Sequence, residues 1–167
     1  MGEPANTKRP FRDAMRSAIA DRWQAVWLEM PRLADPADIE AVHDVRVASR
    51  RLRAAMDAGA RCFPEKWYRR LRRDARSLTR ELGAVRDRDV QLQALVAERE
   101  EAPADERAGI ERLIARIERE RAAARGEMIE FLRDLDERSV AAETARRFGQ
   151  AAGGVAAAGP VEAPGGG

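Results

Sequence analysis

The stretch from Val42 to Gly59 constrains this chain more than any other. Taken at 100° per residue, Val45, Ala48, Leu52, Ala55, Met56 and Gly59 fall on one stripe, which reads as a core-facing helical seam. His43, Arg46, Arg50 and Arg53 recur at i, i+3, i+7 and i+10 and share the stripe beside it, while Arg51 points elsewhere, nearer Val47. The only histidine of the chain thus stands in register with a column of arginines. Like charges at helical spacing weaken an isolated helix. An anion, fixed or diffusible, is expected to meet that column.

The rest of the chain carries the same period. Phe11, Met15, Ile19, Trp23, Val26, Trp27 and Met30 recur every three to four residues and predict a first helix over 9–30, ended with the help of Pro31. Asp35-Pro36 predicts the start of a second over 36–60, with Asp35 as N-cap. Trp67, Leu71, Ala75, Leu78 and Leu82 predict a third over 65–82, with Gly83 as a C-terminal stop. A fourth is expected over 87–101, a fifth over 103–135 and a short sixth over 139–150. No segment alternates apolar and polar residues between turn signals, so the fold class expected is all-α, an antiparallel helical bundle. Residues 1–8 read as a flexible N-terminus and 9–150 as the helical domain. Residues 151–167, nearly all Ala, Gly, Pro and Val, read as a disordered tail.

Charge is abundant, at 36% of residues, and unevenly placed behind a net charge of only +2. From His43 to Arg86 there are 13 Arg/Lys against 5 Asp/Glu; from Glu98 to Arg138 there are 9 against 13. One region is a basic surface and another mildly acidic. Only Lys8 and Lys66 are lysines. The codon bias of a GC-rich, bacterial genome accounts for the arginine total but not for the clustering. Cys62, the single cysteine, excludes an intrachain disulfide and a cysteine zinc cluster, and its place before Phe63-Pro64 suggests a small buried residue. No apolar run approaches membrane-spanning length and no signal-type hydrophobic run opens the sequence, so a cytoplasmic protein is expected.

The third helix repeats the pattern of the second. Beside its apolar seam, one flank carries Arg72, Arg76, Thr79 and Arg86, and the far side carries Arg69, Arg73 and Arg80. If the two helices pack antiparallel, Arg72, Arg76 and Arg86 face His43, Arg46, Arg50 and Arg53 across a shared groove. Such a groove offers a charge about every 5–6 Å, which suits a linear polyanion better than a single small carboxylate. Leu82–Val90 forms a second constellation, in which Arg86, Asp87 and Asp89 are expected at a helix junction and Asp87 as the cap of the fourth helix. Asp87 and Asp89 lack further convergent carboxylates. No Ser/His/Asp arrangement, glycine-rich phosphate loop or His/Cys metal spacing is present. Binding without catalytic machinery, cofactor or metal is the expectation.

At Val42-His43-Asp44-Val45-Arg46-Val47-Ala48-Ser49-Arg50-Arg51-Leu52-Arg53 the chain resembles the CHAD family, the conserved-histidine α-helical domain, and Leu82–Val90 is similar to that family's second landmark. The resemblance covers about residues 10–135. It implies an all-helical domain that binds inorganic polyphosphate through a basic cavity, with His43, Arg46, Arg50, Arg51 and Arg53, then Arg72, Arg76 and Arg86, as binding residues. It also implies two similar halves facing each other across that cavity, of which this chain carries the first motif alone. A natural half-domain, a truncated frame, and two copies pairing as a homodimer to rebuild the cavity are the readings. The pairing would use apolar surface left at the seams through Trp23, Trp27, Leu71 and Leu78. The alternatives are a helical interaction module docking an acidic protein or RNA, and an accessory domain of a phosphohydrolase on another chain.

Overall fold

The computed structural model describes residues 8–149, and every one of its regular elements is helical. Helix α1 spans Lys8–Glu29 and runs into a 3₁₀ turn at Met30–Ala34. Helix α2 spans Ile39–Ala58 and ends in a second 3₁₀ turn, Gly59–Arg61. Helix α3 spans Glu65–Glu101, α4 spans Ala104–Glu137 and α5 spans Val140–Phe148. The tail expected over 151–167 and nearly all of the flexible start expected over 1–8 lie outside the described residues.

Two sequence expectations need correction. Asp35 does not cap α2: its Oδ1 accepts from the Ala37 amide at 2.8 Å in a tight turn, and Asp38 is the cap, accepting from the Ala41 amide at 2.8 Å. Gly83 does not end a helix either. The third and fourth expected helices are one element of 37 residues, about 55 Å long at 1.5 Å per residue. Glycine in a helix interior costs roughly 0.5–1 kcal/mol relative to alanine. The buried series Leu78, Leu82, Val85, Asp89 runs straight across it, and continuous packing on that face outweighs the cost.

The core forms where α1, α2 and α3 meet the C-terminal half of α4 and the short α5. Ile19, Trp23 and Val26 from α1, Val45, Leu52 and Met56 from α2, and Leu71, Leu78 and Leu82 from α3 are at most 2% exposed. The end of α2 is drawn tightly onto α3. The Tyr68 hydroxyl donates to the Met56 carbonyl at 2.8 Å, and burial pushes its phenol far above the ordinary range. A Cβ at Gly59 would come within 2.6 Å of the Tyr68 oxygen and 2.9 Å of Ile19 Cδ1, so only glycine fits this close approach. Cys62 beside it is half-buried, not fully buried as expected.

Helix α5 closes the bundle. Ser139, with φ of 52°, turns the chain out of α4, and Phe148 then packs edge-on against Phe63, Trp67 and Tyr68. The Trp27 Nε1 donates to the Thr144 hydroxyl at 3.3 Å, and Arg70 on α3 pairs with the buried Glu143. Trp23, Leu71 and Leu78 are therefore interior, which overturns the expectation that their seams are left open. Exposed apolar side chains lie elsewhere, with Val90 and Val96 on α3 and Leu113 and Ile129 on α4 among them. No residue of α3 beyond Asp89 and none of α4 before Ala124 is buried, so much of this hairpin stands outside the core.

Candidate functional site

Helices α2 and α3 pack as an antiparallel pair, with His43 near the start of α2, Asp57 in its last turn, and Arg72, Gly83 and Arg86 in sequence along α3. The arginine column is real, and its next position, i+4 from Arg53, is an acid. The Asp57 Oδ1 accepts from Arg72 Nε at 2.6 Å and from Arg76 Nη2 at 2.9 Å, while its Oδ2 lies 3.9 Å from Arg53 Nε. Desolvation raises the Asp57 carboxyl, but the hydrogen bonds from Arg72 and Arg76 outweigh it and hold the group below the usual carboxylate range. One fixed anion thus serves three of the arginines. The spacing 43–46–50–53–57 carried that signal, and reading the stripe for cations alone missed it.

Toward the other end of the groove the arginines have no such partner. Arg46 is half-buried and its Nε is shielded from solvent with no hydrogen-bond partner. That Nε lies 3.6 Å from where a Cβ of Gly83 would stand, so bare α3 backbone faces it. Arg86, one turn beyond Gly83, likewise holds Nη1 buried without a partner. Among the described residues no carboxylate lies within ion-pair distance of Arg46, Arg50 or Arg86. The nearby hydroxyls donate to their own helices, Ser49 to the Arg46 carbonyl at 2.9 Å and Thr79 to the Ala75 carbonyl at 3.0 Å. Arg50, Arg53, Ala54 and Asp57 line an open depression of about 300 Å³.

His43 and Arg51 belong to different surroundings. With Arg22, Glu29 and Asp44 they edge a second depression, of about 420 Å³, between α1 and α2. Here the acids are engaged by Arg32, whose Nη1 donates to Asp44 and to Glu29 at 2.8 Å each. Bonds to Asp44, Glu29 and Asp38 raise that guanidinium further above its ordinary value. Of the eight sequence-predicted residues, Arg46, Arg50, Arg53, Arg72, Arg76 and Arg86 lie along the flanks of the packed α2–α3 pair, His43 stands exposed near the end of its stripe, and Arg51 faces α1.

The second constellation is not a junction. Asp87 sits exposed in the middle of α3 and caps nothing. Asp89 is buried and pairs with Arg121 of α4, leaving its Oδ2 without a partner. The two carboxylates face opposite ways, so they form no paired acid site. Among the described residues no three His, Cys, Asp or Glu side chains gather as a metal site, and no helix is long and apolar enough to cross a membrane.

Fold and site together define a helical domain with arginines lined along the interface of two antiparallel helices and an open depression on the α2 side. A family model described as CHAD domain matches residues 15–163, most of the chain. The protein belongs to the CHAD domain family. No curated protein and no solved structure matches the chain.

Proposed function

We propose that the α2–α3 groove binds inorganic polyphosphate and does no chemistry on it. The observation that carries this reading is that Arg46 and Arg86, on facing helices, each hold a buried guanidinium nitrogen without an acceptor, as Arg88 does further along α3. A guanidinium nitrogen shielded without an acceptor is unfavourable, and a small turn of the half-buried side chain toward a phosphate oxygen supplies one. Two such donors on facing helices, with Arg50 beside them, ask for more than one phosphate. Family membership supports the same ligand, since polyphosphate is what the CHAD resemblance implies. Contacts from His43 and Arg51, in the neighbouring depression between α1 and α2, belong to the proposal, as does a cytoplasmic setting.

The test is direct binding of a polyphosphate chain-length series, competed with RNA and heparin. Replacing Arg46 and Arg50 with alanine should weaken polyphosphate binding by about two to four orders of magnitude, at roughly 1.5–3 kcal/mol for each charge-assisted contact. Helicity should be unchanged. The matched control replaces Arg116 and Arg119 on α4, where Arg116 is already paired with Glu120. Unchanged affinity in the Arg46/Arg50 variant overturns the site. Equal or stronger displacement by RNA overturns the ligand.

A further inference from the structure

We infer that Asp57 is a built-in competitor for the anion, a carboxylate that occupies the Arg53/Arg72/Arg76 end of the groove and limits how much polyphosphate the groove takes. The inference rests on the polyphosphate reading for its ligand, but its test separates the two.

The carboxylate stands where a structural acid is poorly placed. Asp57 is in the last turn of α2, and a negative charge there opposes the helix dipole. It is not needed to dock the two helices. Leu52 and Met56 of α2 and Leu71 and Ala75 of α3 are fully buried, and Tyr68 already ties the Met56 carbonyl. The ion pairs are partly open to solvent, with side-chain exposures of 34% for Asp57, 32% for Arg72 and 51% for Arg76. The arginines converge on one carboxylate oxygen much as guanidinium groups converge on a phosphate oxygen. They lie on the same groove flanks as Arg46 and Arg86, which have no fixed anion. The groove is thus divided: one end is filled by the protein's own acid, the other is open. A polyphosphate chain entering from the His43 end meets Arg86, Arg46 and Arg50 first. To go further it must take Arg72 and Arg76 from Asp57.

Asp57→Asn keeps the shape and removes the competing charge. Tripolyphosphate and long-chain polyphosphate are titrated into the full chain and into Asp57→Asn. Asp44→Asn serves as control, since it removes the same charge from the same helix where the acid pairs with Arg32 and not with Arg53, Arg72 and Arg76. Circular dichroism confirms folding. The expected result is that Asp57→Asn binds both probes on the order of tenfold more tightly, from charge-assisted bonds regained by Arg72 and Arg76, with a smaller change in the control. The salt dependence should steepen by roughly 0.7 per ion pair gained. In a triple variant, Arg72→Ala and Arg76→Ala added to Asp57→Asn should abolish the gain. In the parent the same two replacements should cost little.

Equal or weaker binding by Asp57→Asn overturns the inference, whether or not the parent binds, and so does a gain matched by Asp44→Asn. Binding of tripolyphosphate gained by Asp57→Asn, in a parent that takes no long chain, upholds the competitor and overturns the proposed ligand.

Discussion

The backbone of Gly83 on α3 lies against the Nε of Arg46 on α2, with 3.6 Å between that nitrogen and the place a Cβ would take. This distance is ordinary contact, so an alanine fits where the glycine stands. The helix forgoes stability here, and what it gains is a bare stretch of backbone opposite an unpartnered guanidinium. Gly83→Ala should therefore stabilise the fold by about 0.5–1 kcal/mol, raising Tm by about 1–4 °C. The added methyl places an apolar group against Arg46 Nε where bare backbone stood, and polyphosphate affinity should fall. Thermal unfolding and a binding titration on the same variant read both effects, and a loss of stability would show that the glycine is required by the packing.

Arg121 and Asp89 bind α4 to α3 inside the structure, with exposures of 22% and 2%. Removing one member of a buried pair leaves an uncompensated charge, a loss of about 3–5 kcal/mol. Arg121→Ala should lower the urea midpoint accordingly. Arg116→Ala, which breaks only the exposed pair with Glu120, should cost less than about 1 kcal/mol. Comparable losses in the two variants would mean that Asp89 finds another partner or water.

The carboxyl of Asp57 is held below its ordinary value of 3.8, with desolvation opposing and Arg72 and Arg76 prevailing. A depressed folded-state pKa contributes stability that is complete above the unfolded value and disappears as pH falls through the folded one. Asp57→Asn should thus be less stable than the parent at neutral pH in the absence of polyanion. The difference should shrink below about pH 3.8 and vanish once the parent's carboxyl is protonated. Paired melts between pH 2 and 7 measure it, and a difference independent of pH would detach the effect from ionisation.

The helical period made most of the architecture legible. The apolar stripes through Ile19 and Trp23, Val45 and Leu52, and Leu71 and Leu78 all turn inward. Both arginine flanks lie along the interface of α2 and α3. What failed to show has physical causes. Gly83 carries a stop signal, but a stop needs a change of direction, and the buried run through Leu82, Val85 and Asp89 gives the chain no reason to turn. Asp57 sits in plain register with the arginines, yet its weight depends on Arg72 and Arg76, 15 and 19 residues away. The packing around Trp27 and Trp67 required knowing that the chain turns at Ser139 and lays α5 against them, and nothing local in the sequence sets that docking.

The open groove bears on assembly. Because Trp23, Leu71 and Leu78 are buried within the bundle, apolar attraction at those seams gives two copies no reason to pair. The groove faces instead carry Arg46, Arg50 and Arg86 without fixed partners, and like charge holds two such faces apart. A polyanion between them reverses the sign of the interaction, since one chain neutralises both columns at once. A two-fold pair then presents the same surface from each side and closes without leaving a free end. The protein alone should be monomeric at low salt. Long-chain polyphosphate at less than one chain per protein should convert it to dimer, and tripolyphosphate, too short to reach both faces, should not. Excess long chain should return the monomer by giving each copy its own ligand. Light scattering across the titration reads all three regimes. A protein that remains monomeric while saturated at limiting long chain would establish the single open groove as the whole site.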